Sequence, residues 1–141
     1  MIKYQAKILK DGKSYAVEFP DLPGCFSMGE TLEEAKFMAQ DALTLYLEEA
    51  RNPKWDVPPP KIRKAKNFYW IRPRLEVAIP FMLRQKRIQA GFTQSQMAQK
   101  LGITTQQLQK LETPGKSNPT VKTLAKISEV LEANLEIDLV A

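Results

Sequence analysis

The chain has 141 residues, one cysteine and no histidine, so it has room for two small domains but excludes an intrachain disulfide and histidine-based zinc sites or catalytic triads. It has no apolar run of signal-peptide or membrane-span length and a single thiol suits a reducing compartment, so we expect a soluble, cytoplasmic protein. The net charge of +5 is uneven: residues 1–50 carry 5 basic and 9 acidic side chains, 51–90 carry 11 and 2, and 91–141 carry 5 and 5. The middle of the chain therefore carries a positive field that would attract a polyanion.

The first part of the chain has the pattern of a small antiparallel sheet followed by one helix. Apolar and polar residues alternate from Ile2 to Ile8, Asp11-Gly12 is a hairpin turn, and a return strand precedes a short third strand at Cys25 to Met28. Thr31-Leu32-Glu33-Glu34 is a capping box, and apolar residues keep helical spacing from there to about Ala50. The pattern predicts an α+β unit in which one amphipathic helix covers a three-stranded meander.

Residues 52–66 are rich in proline and lysine, and we interpret them as a linker or a surface strap. Three consecutive prolines in this stretch remove hydrogen-bond donors and hold the backbone extended, which excludes a helix or a central strand. The aromatic run Phe68–Ile71 then predicts a fourth strand that returns to the first sheet. Alternatively, these aromatic residues, with lysines and arginines on both sides, form a stacking platform for single-stranded nucleic acid.

Residues 92–112 have the spacing of two short helices joined by a tight turn. Thr93 and Thr104 each begin a Thr-x-x-Gln capping box, and Gly102 lies where the first helix must end in a left-handed backbone conformation. Ala98 is small where two crossing helices must approach closely. The combination predicts a DNA-binding helix-turn-helix, although an ordinary antiparallel helix pair with a polar outer face has the same outline.

The second of these two helices carries hydroxyls, amides and one lysine on its predicted outer face. They are Thr104, Thr105, Gln106, Gln107, Gln109 and Lys110. An amide side chain can pair with adenine in two places in the major groove, a hydroxyl is versatile, and a lysine suits guanine or phosphate. These residue types therefore fit a surface that contacts base edges.

Further helices are predicted on both sides of this pair. From about Val77 to Ala90 the helical period returns, and Pro80 is tolerable there if it lies in the first turn. Its expected exposed side carries Arg84, Lys86 and Arg87. We expect Arg87 to contact DNA phosphate, so that its loss would weaken binding to any sequence alike. Another helix is predicted from Asn118 to Leu131.

The end of the chain has the alternation of a strand, with Leu135, Ile137 and Leu139 separated by acidic residues. A single strand on a helical domain needs a partner. The same strand of a second copy would supply it, so we expect a homodimer, possibly a tetramer, that binds paired half-sites.

Residues 79–133 resemble the repressor-type (XRE/Cro-like) helix-turn-helix domain of phage repressors and many antitoxins. The resemblance includes Leu111-Glu112 ahead of the Gly115-Lys116-Ser117 loop, and Pro114 departs from the pattern. It implies that the second helix contacts bases, whereas the loop and the start of the first helix contact phosphates. By position, the implied base contacts are Thr105, Gln106, Gln107 and Lys110, and the implied phosphate contacts are Gln94, Lys116, Ser117 and Asn118.

The segments Tyr15–Cys25 and Gly29–Ala35 resemble HicB-type antitoxins, whose signature is a strand, a turn with aspartate and proline, a short strand and a Gly-x-Thr helix start. The resemblance implies a truncated ribonuclease H-like β-β-β-α-β domain, 1–74, that is not a nuclease. An all-α helix-turn-helix domain with a C-terminal strand would follow, 75–141. It also implies a HicA-type toxin that cleaves RNA as the partner of the acidic front domain, and autorepression through operator DNA.

Two other functions remain open on the sequence. One is a helix-turn-helix transcriptional regulator whose front domain senses a small molecule. The other is a nuclease, but that chemistry needs several converging carboxylates, whereas Asp11 and Asp21 fall in predicted turns and Glu30, Glu33 and Glu34 crowd a helix start. We therefore expect no catalytic residue, no metal site and no cofactor, and we interpret Cys25 as a small buried residue.

Overall fold

The structure is a computed structural model that describes residues 1–49 and 57–140. Packing divides the chain into two units, residues 1–78 and 79–141. The strands and helices, in chain order, are β1 (Tyr4–Asp11), β2 (Ser14–Glu18), β3 (Phe26–Gly29), α1 (Leu32–Glu49), β4 (Phe68–Ile71), α2 (Leu75–Gln89), α3 (Gln94–Leu101), α4 (Thr105–Leu111) and α5 (Val121–Val130). None of these helices is both long and apolar enough to cross a lipid bilayer.

The front unit is an antiparallel sheet with the strand order β3-β2-β1-β4, and α1 packs on one face. This confirms the predicted β-β-β-α-β order, including the return of Phe68–Ile71 to the first strand. Gly29 ends β3 under the start of α1, where a Cβ would lie 2.5 Å from the Ala35 backbone nitrogen. The predicted end of α1 at about Ala50 lies outside the described residues, since Glu49 is the last one described there.

Alanines on the inner face of α1 allow the helix to lie close to the sheet, because Ala35 and Ala39 are fully buried. Cys25 is also buried in this unit, and burial raises the pKa of its thiol to about 11. A thiol with such a pKa stays protonated and unreactive near neutral pH. The interpretation of Cys25 as a small core residue is therefore confirmed.

Residues 57–66 lie against the front unit as a strap, and the earlier part of the predicted linker, 52–56, lies outside the described residues. The Asp21 carboxylate accepts two hydrogen bonds from the Arg63 guanidinium, at 2.7 and 3.1 Å, and one from the Lys61 backbone N–H at 2.9 Å. The Tyr4 hydroxyl donates to the Pro58 carbonyl at 2.6 Å. Side chains of the sheet and its loops thus make hydrogen bonds with backbone groups of the strap.

The rear unit is helical and encloses its own apolar core. Its buried residues are Leu83, Met97, Ala98, Leu101, Leu108 and Ile127. Helix α2 begins at Leu75, two residues before the predicted start, because the Arg74 carbonyl accepts from the N–H groups of Val77 and Ala78. Pro80 therefore lies in the second turn, so the condition for tolerating it, a place in the first turn, is not met.

The predicted C-terminal strand is absent from the single chain, since residues 133–140 have no strand or helix. Its apolar side chains are exposed instead, with Ile137 65% and Leu139 94% accessible. A strand exists only by pairing its backbone with another strand, and the rear unit's described residues form helices and loops. The residues with strand-like alternation therefore form an exposed apolar tail, which has no partner strand in a single copy of the chain.

We predict that Asp21→Asn lowers the free energy of unfolding by about 1–3 kcal/mol at pH 7, because the strap loses its charged hydrogen-bond acceptor. The Arg63 hydrogen bonds hold the pKa of Asp21 below its usual range. The carboxylate's contribution is therefore complete above the unfolded-state pKa of about 3.9 and is lost as the pH falls through the lower folded-state pKa.

Urea titrations at pH 7 and at about pH 3 measure the difference in free energy of unfolding between wild type and Asp21→Asn. This difference should be smaller at the acidic pH. Asp11→Asn, at the exposed end of β1, is the matched control and should change stability by less than about 0.5 kcal/mol. Equal stability of wild type and Asp21→Asn at pH 7 would show that the ion pair does not hold the strap.

Candidate nucleic-acid interface

Both helices of the predicted pair begin with the capping boxes expected from the sequence. Thr93 Oγ1 accepts from the Gln96 N–H at 3.1 Å, and Gln96 Oε1 accepts from the Thr93 N–H at 2.9 Å. Thr104 and Gln107 repeat the same two distances at the start of α4. The boxes satisfy backbone donors that helix ends otherwise leave open, so both short helices have defined starts.

The turn between α3 and α4 has the geometry that the sequence predicted. Gly102 has φ 71° and ends α3 in the left-handed conformation, while the Ile103 N–H donates to the Ala98 carbonyl at 3.0 Å. Leu101 on one side of the turn and Leu108 on the other are both buried in the core. These buried leucines define the inner side of the α3–α4 pair, and the side chains on the opposite side of α4 therefore face solvent.

The outer face of α4 presents polar side chains to solvent, but they are not equally free. Gln106, Gln107 and Lys110 are exposed, whereas Thr105 is half-buried. The carbonyl oxygen of Gln107 is occupied by its capping box, so two-point pairing of this amide with a base would break the cap. Gln106 has no hydrogen-bond partner among the described residues and keeps both its donor and its acceptor for a ligand.

Gln94, in the first turn of α3, is already part of a hydrogen-bonded group. Its amide nitrogen donates to Glu112 at 3.3 Å, and its oxygen accepts from Gln109 at 3.4 Å. Both bonds are long, and Gln94 is half-buried. The group links the start of α3 to the end of α4.

Arg87 is buried and paired, so the expectation that it lies on the exposed side of α2 is wrong. Its Nε and Nη2 donate to the two carboxylate oxygens of Glu112 at 2.7 and 2.9 Å, and Nη1 donates to the Phe92 carbonyl at 2.8 Å. Only 9% of the Arg87 side chain and 3% of the Glu112 side chain are accessible. The guanidinium makes all of its contacts inside the rear unit and is not available to a DNA phosphate.

The sequence contained a signal for this burial, although the helical period alone did not show that Arg87 faces the interior. Arg87 stands four residues after the buried Leu83, which puts both on one face of α2. Glu112 is likewise four residues after the buried Leu108. Two opposite charges, each on the apolar face of its own helix, are the pattern of a buried ion pair.

The loop after α4 brings only some of its predicted phosphate residues to the surface. Lys116 and Asn118 are exposed, whereas the Ser117 hydroxyl is buried without a hydrogen-bond partner among the described residues. The N–H groups of Lys116 and Ser117 both donate to the Thr113 carbonyl, at 3.1 and 3.0 Å. A phosphate could reach Lys116 and Asn118 directly, but it could reach Ser117 only after the loop rearranged.

The fold and this interface define a helix-turn-helix protein with an α+β front unit. Residues 4–69 match the model of the family described as HicB_like antitoxin of bacterial toxin-antitoxin system, and residues 83–137 match the model of a helix-turn-helix family. Over 140 residues the chain is 29% identical to Antitoxin HicB 2 of Photorhabdus laumondii subsp. laumondii, covering 96% of this chain and 95% of the relative.

Two shorter similarities involve proteins whose names state no function. Over 45 residues the chain is 44% identical to an uncharacterized 14.9 kDa protein from the rep-hol intergenic region of Haemophilus phage HP1, covering 32% of this chain and 34% of that protein. Over 58 residues it is 36% identical to the UPF0150 protein Ta0767 of Thermoplasma acidophilum, covering 40% and 84%. The long alignment therefore matters most, since it spans both units.

We predict that Arg87→Ala lowers the free energy of unfolding of the rear unit by about 3–5 kcal/mol, because it leaves the Glu112 carboxylate buried without a partner. The double variant Arg87→Met/Glu112→Leu should recover most of this loss, since apolar residues of similar volume replace a buried pair at little net cost. Urea unfolding followed by far-ultraviolet circular dichroism measures both.

Lys86→Ala is the control, because Lys86 is the exposed neighbour of Arg87 on α2 and its loss should cost less than about 0.5 kcal/mol. If Arg87→Ala were as stable as Lys86→Ala but bound DNA more weakly at every sequence, Arg87 would be a phosphate contact after all.

Proposed function

We propose that this chain is an antitoxin that binds and masks a small HicA-type RNA-cleaving toxin and represses its own operon by binding operator DNA. The observation that carries the proposal is the joining, in one chain, of a HicB-like front unit to a helix-turn-helix whose outer face holds a free amide at Gln106. Both activities are stoichiometric binding without turnover, and they would take place in the cytoplasm.

For DNA, we propose that α4 enters the major groove and that Gln106 makes the principal base contact. Lys110 is exposed one turn later on the same helix and suits guanine or a phosphate. Thr105 and Gln107 would add single hydrogen bonds, since one is half-buried and the other holds the helix cap. Gln94, Lys116 and Asn118 are the proposed phosphate contacts, with Ser117 joining them if the loop rearranges.

We further propose that the C-terminal tail pairs with the same tail of a second copy. Its exposed apolar residues, Leu135, Ile137 and Leu139, alternate along an unpaired backbone, which favours addition of another strand. A two-fold dimer would present two copies of α4 to two half-sites about one turn of DNA apart. The tail then forms a strand only in the assembled protein.

For the toxin, we propose a surface at the β3 edge of the sheet. Phe26 and Met28 of this edge strand are 71% and 60% accessible, which is unusual for large apolar side chains unless a partner covers them. Exposed acids neighbour this strand, since Glu18 pairs across from Phe26, and Glu30, Glu33 and Glu34 follow β3 in the chain. An apolar centre with an acidic rim fits a small basic protein that itself binds RNA.

Of the acids considered for the nuclease alternative, Asp21 is not available for that chemistry. The Asp21 carboxylate is 4% accessible, and its two oxygens are occupied by Arg63 and by the Lys61 backbone. A catalytic carboxylate must be able to bind a metal ion or take a proton. The ligand-sensing alternative predicts a rise in melting temperature with a small molecule and no protein partner.

We predict that Gln106→Ala reduces discrimination between the operator and a single-base variant by about 1–3 kcal/mol, because a two-point contact with a base is lost. Binding to unrelated duplexes should change little, since phosphate contacts remain. Fluorescence anisotropy with the upstream DNA of the operon measures both affinities. Sedimentation of the complex should give two chains for each pair of half-sites.

Gln85→Ala is the matched control, because Gln85 is an exposed amide on α2 outside the proposed interface. Undiminished discrimination by Gln106→Ala would remove Gln106 from the base contacts. One chain per duplex at saturation would exclude the tail-paired dimer.

We predict that Met28→Lys weakens toxin masking by at least about tenfold, equivalent to 1.4 kcal/mol, because a positive charge replaces an apolar contact facing a basic partner. The toxin would be obtained by mild affinity purification of the tagged chain and separated by denaturation and refolding. Its cleavage of RNA would then be titrated with wild-type or variant chain.

Leu45→Lys is the matched control, because Leu45 is a 53% accessible apolar residue that belongs to α1 and not to β3. Equal masking by Met28→Lys and wild type would move the toxin surface elsewhere. Absence of any copurifying RNA-cleaving protein would instead contradict the antitoxin function itself.

A further inference from the structure

The opposite edge of the sheet has a different chemistry from the β3 edge. Side chains alternate along β4, so Tyr69 and Ile71 face α1, where Lys36 of that helix lies 4.6 Å from the Tyr69 ring centre. Phe68 and Trp70 therefore face the other way, onto the outer side of the sheet. There Trp70 is 39% accessible, and the Lys3 ammonium lies 4.6 Å from its ring centre.

The strap adds positive charge to this same side. Gln5, which pairs with Trp70 across the two strands, is buried because its amide makes hydrogen bonds of 2.6 and 3.0 Å with the Arg63 backbone. The Arg63 guanidinium lies 5.6 Å from the Phe68 ring centre. The strap thus crosses the outer side of β1 beside β4, and its exposed lysines are Lys61, Lys64 and Lys66.

We call this surface the β4 basic face and define it by Lys3, Phe68, Trp70 and the strap lysines Lys61, Lys64 and Lys66. Residues 57–74 contain six basic and no acidic side chains. Of the arginines among them, Arg63 is neutralised by Asp21 and Arg74 pairs with Asp41 at 2.9 Å. The exposed strap lysines add positive charge to that of Lys3, which lies over the Trp70 ring.

We propose that the β4 basic face binds single-stranded nucleic acid, with one base stacked on Trp70 and adjacent phosphates held by Lys3, Lys64 and Lys66. Stacking on an aromatic ring and neutralisation of phosphates are the two contributions that bind single strands without reading their sequence. This is a binding activity of the front unit that depends neither on the operator contacts of α4 nor on toxin masking.

The present contact between Lys3 and Trp70 is compatible with this role. An exposed cation over an aromatic ring is held more weakly than a stacked base, so a base can take its place. The displaced ammonium then lies beside the phosphates of the same strand. Lys3 therefore covers the ring in the free protein and contributes a phosphate contact in the complex.

A single strand fits this face better than a duplex or a basic protein does. The bases of a duplex are stacked on one another and leave no open ring for Trp70. A basic protein would be repelled by lysines of the same sign. The exposed apolar and acidic residues that suit such a protein lie on β3, at the other edge of the sheet, with β2 and β1 between them.

The test uses tryptophan fluorescence of the full-length chain. The protein has two tryptophans, so Trp55→Phe leaves Trp70 as the sole reporter. Addition of 12-nucleotide single-stranded RNA or DNA should quench its emission by more than about half, whereas inorganic polyphosphate should bind without quenching. A duplex lacking the operator should bind through the rear unit with little change in emission.

Charge-reversal variants distinguish binding at the β4 basic face from an effect of the protein's overall charge. In the same background, Lys64→Glu/Lys66→Glu should lower the affinity measured by the quenching titration at least about tenfold. Lys10→Glu/Lys13→Glu makes an equal change of charge on the exposed β1–β2 hairpin and should lower this affinity less than about threefold. With three phosphate contacts, log K should fall against log salt with a slope of about −2. Lys64→Gln/Lys66→Gln provides a milder pair if the reversed pair proves unstable.

Three results would overturn the proposal. They are no quenching by either single strand, equal quenching by polyphosphate, and equal weakening by the two charge-reversed pairs. Quenching by RNA but not by DNA would assign the face to RNA and imply a contact to the 2′-hydroxyl. Equal quenching by both would assign it to single strands in general.

Discussion

The buried pair of Arg87 and Glu112 is the interaction on which the DNA-binding unit depends. It joins α2 to the end of α4 across the helix pair, and its third bond reaches the Phe92 carbonyl just before α3. The desolvation of two charges is offset only when hydrogen bonds satisfy both groups, and here they do. The pair therefore fixes the angle at which α4 presents Gln106 and Lys110 to solvent.

The Glu112 carboxylate also connects this interior pair to the surface. It accepts a bond from Gln94, which in turn accepts from Gln109. Polar groups at the proposed phosphate contact are thus held by the same carboxylate that neutralises Arg87. A short helix of seven residues would have little stability alone, so its orientation comes from these contacts and from the buried Leu108.

The front unit is organised by a similar arrangement of one acid and one arginine, but nearer to solvent. Asp21 holds the strap by Arg63 and the Lys61 backbone, and the strap makes one side of the sheet basic. The other edge keeps Phe26 and Met28 exposed beside glutamates. One small sheet therefore offers two surfaces of opposite charge, which suits two partners of different chemistry.

Local sequence signals predicted the parts of the fold that depend on neighbours along the chain. The Thr93 and Thr104 caps and the left-handed Gly102 follow from spacing and backbone preference. Contacts between distant residues were not predictable in this way. The spacing from Leu83 places Arg87 on the apolar face of α2, but it does not indicate that Glu112 will lie 2.7 Å away, and a charged residue is usually exposed.

The sequence by itself determined that the chain joins a β-β-β-α-β unit to a helix-turn-helix and that α4 carries the polar outer face, because alternation, helical period and capping are local properties. Only the tertiary structure decided which of those polar residues are free. On α4, the side-chain oxygen of Gln107 accepts a hydrogen bond in the helix cap, whereas the Gln106 amide has no partner among the described residues. Outside α4, the tertiary structure buries the Arg87 side chain and the Ser117 hydroxyl. It also left the C-terminal tail unpaired, since a strand requires a backbone partner that one copy does not supply.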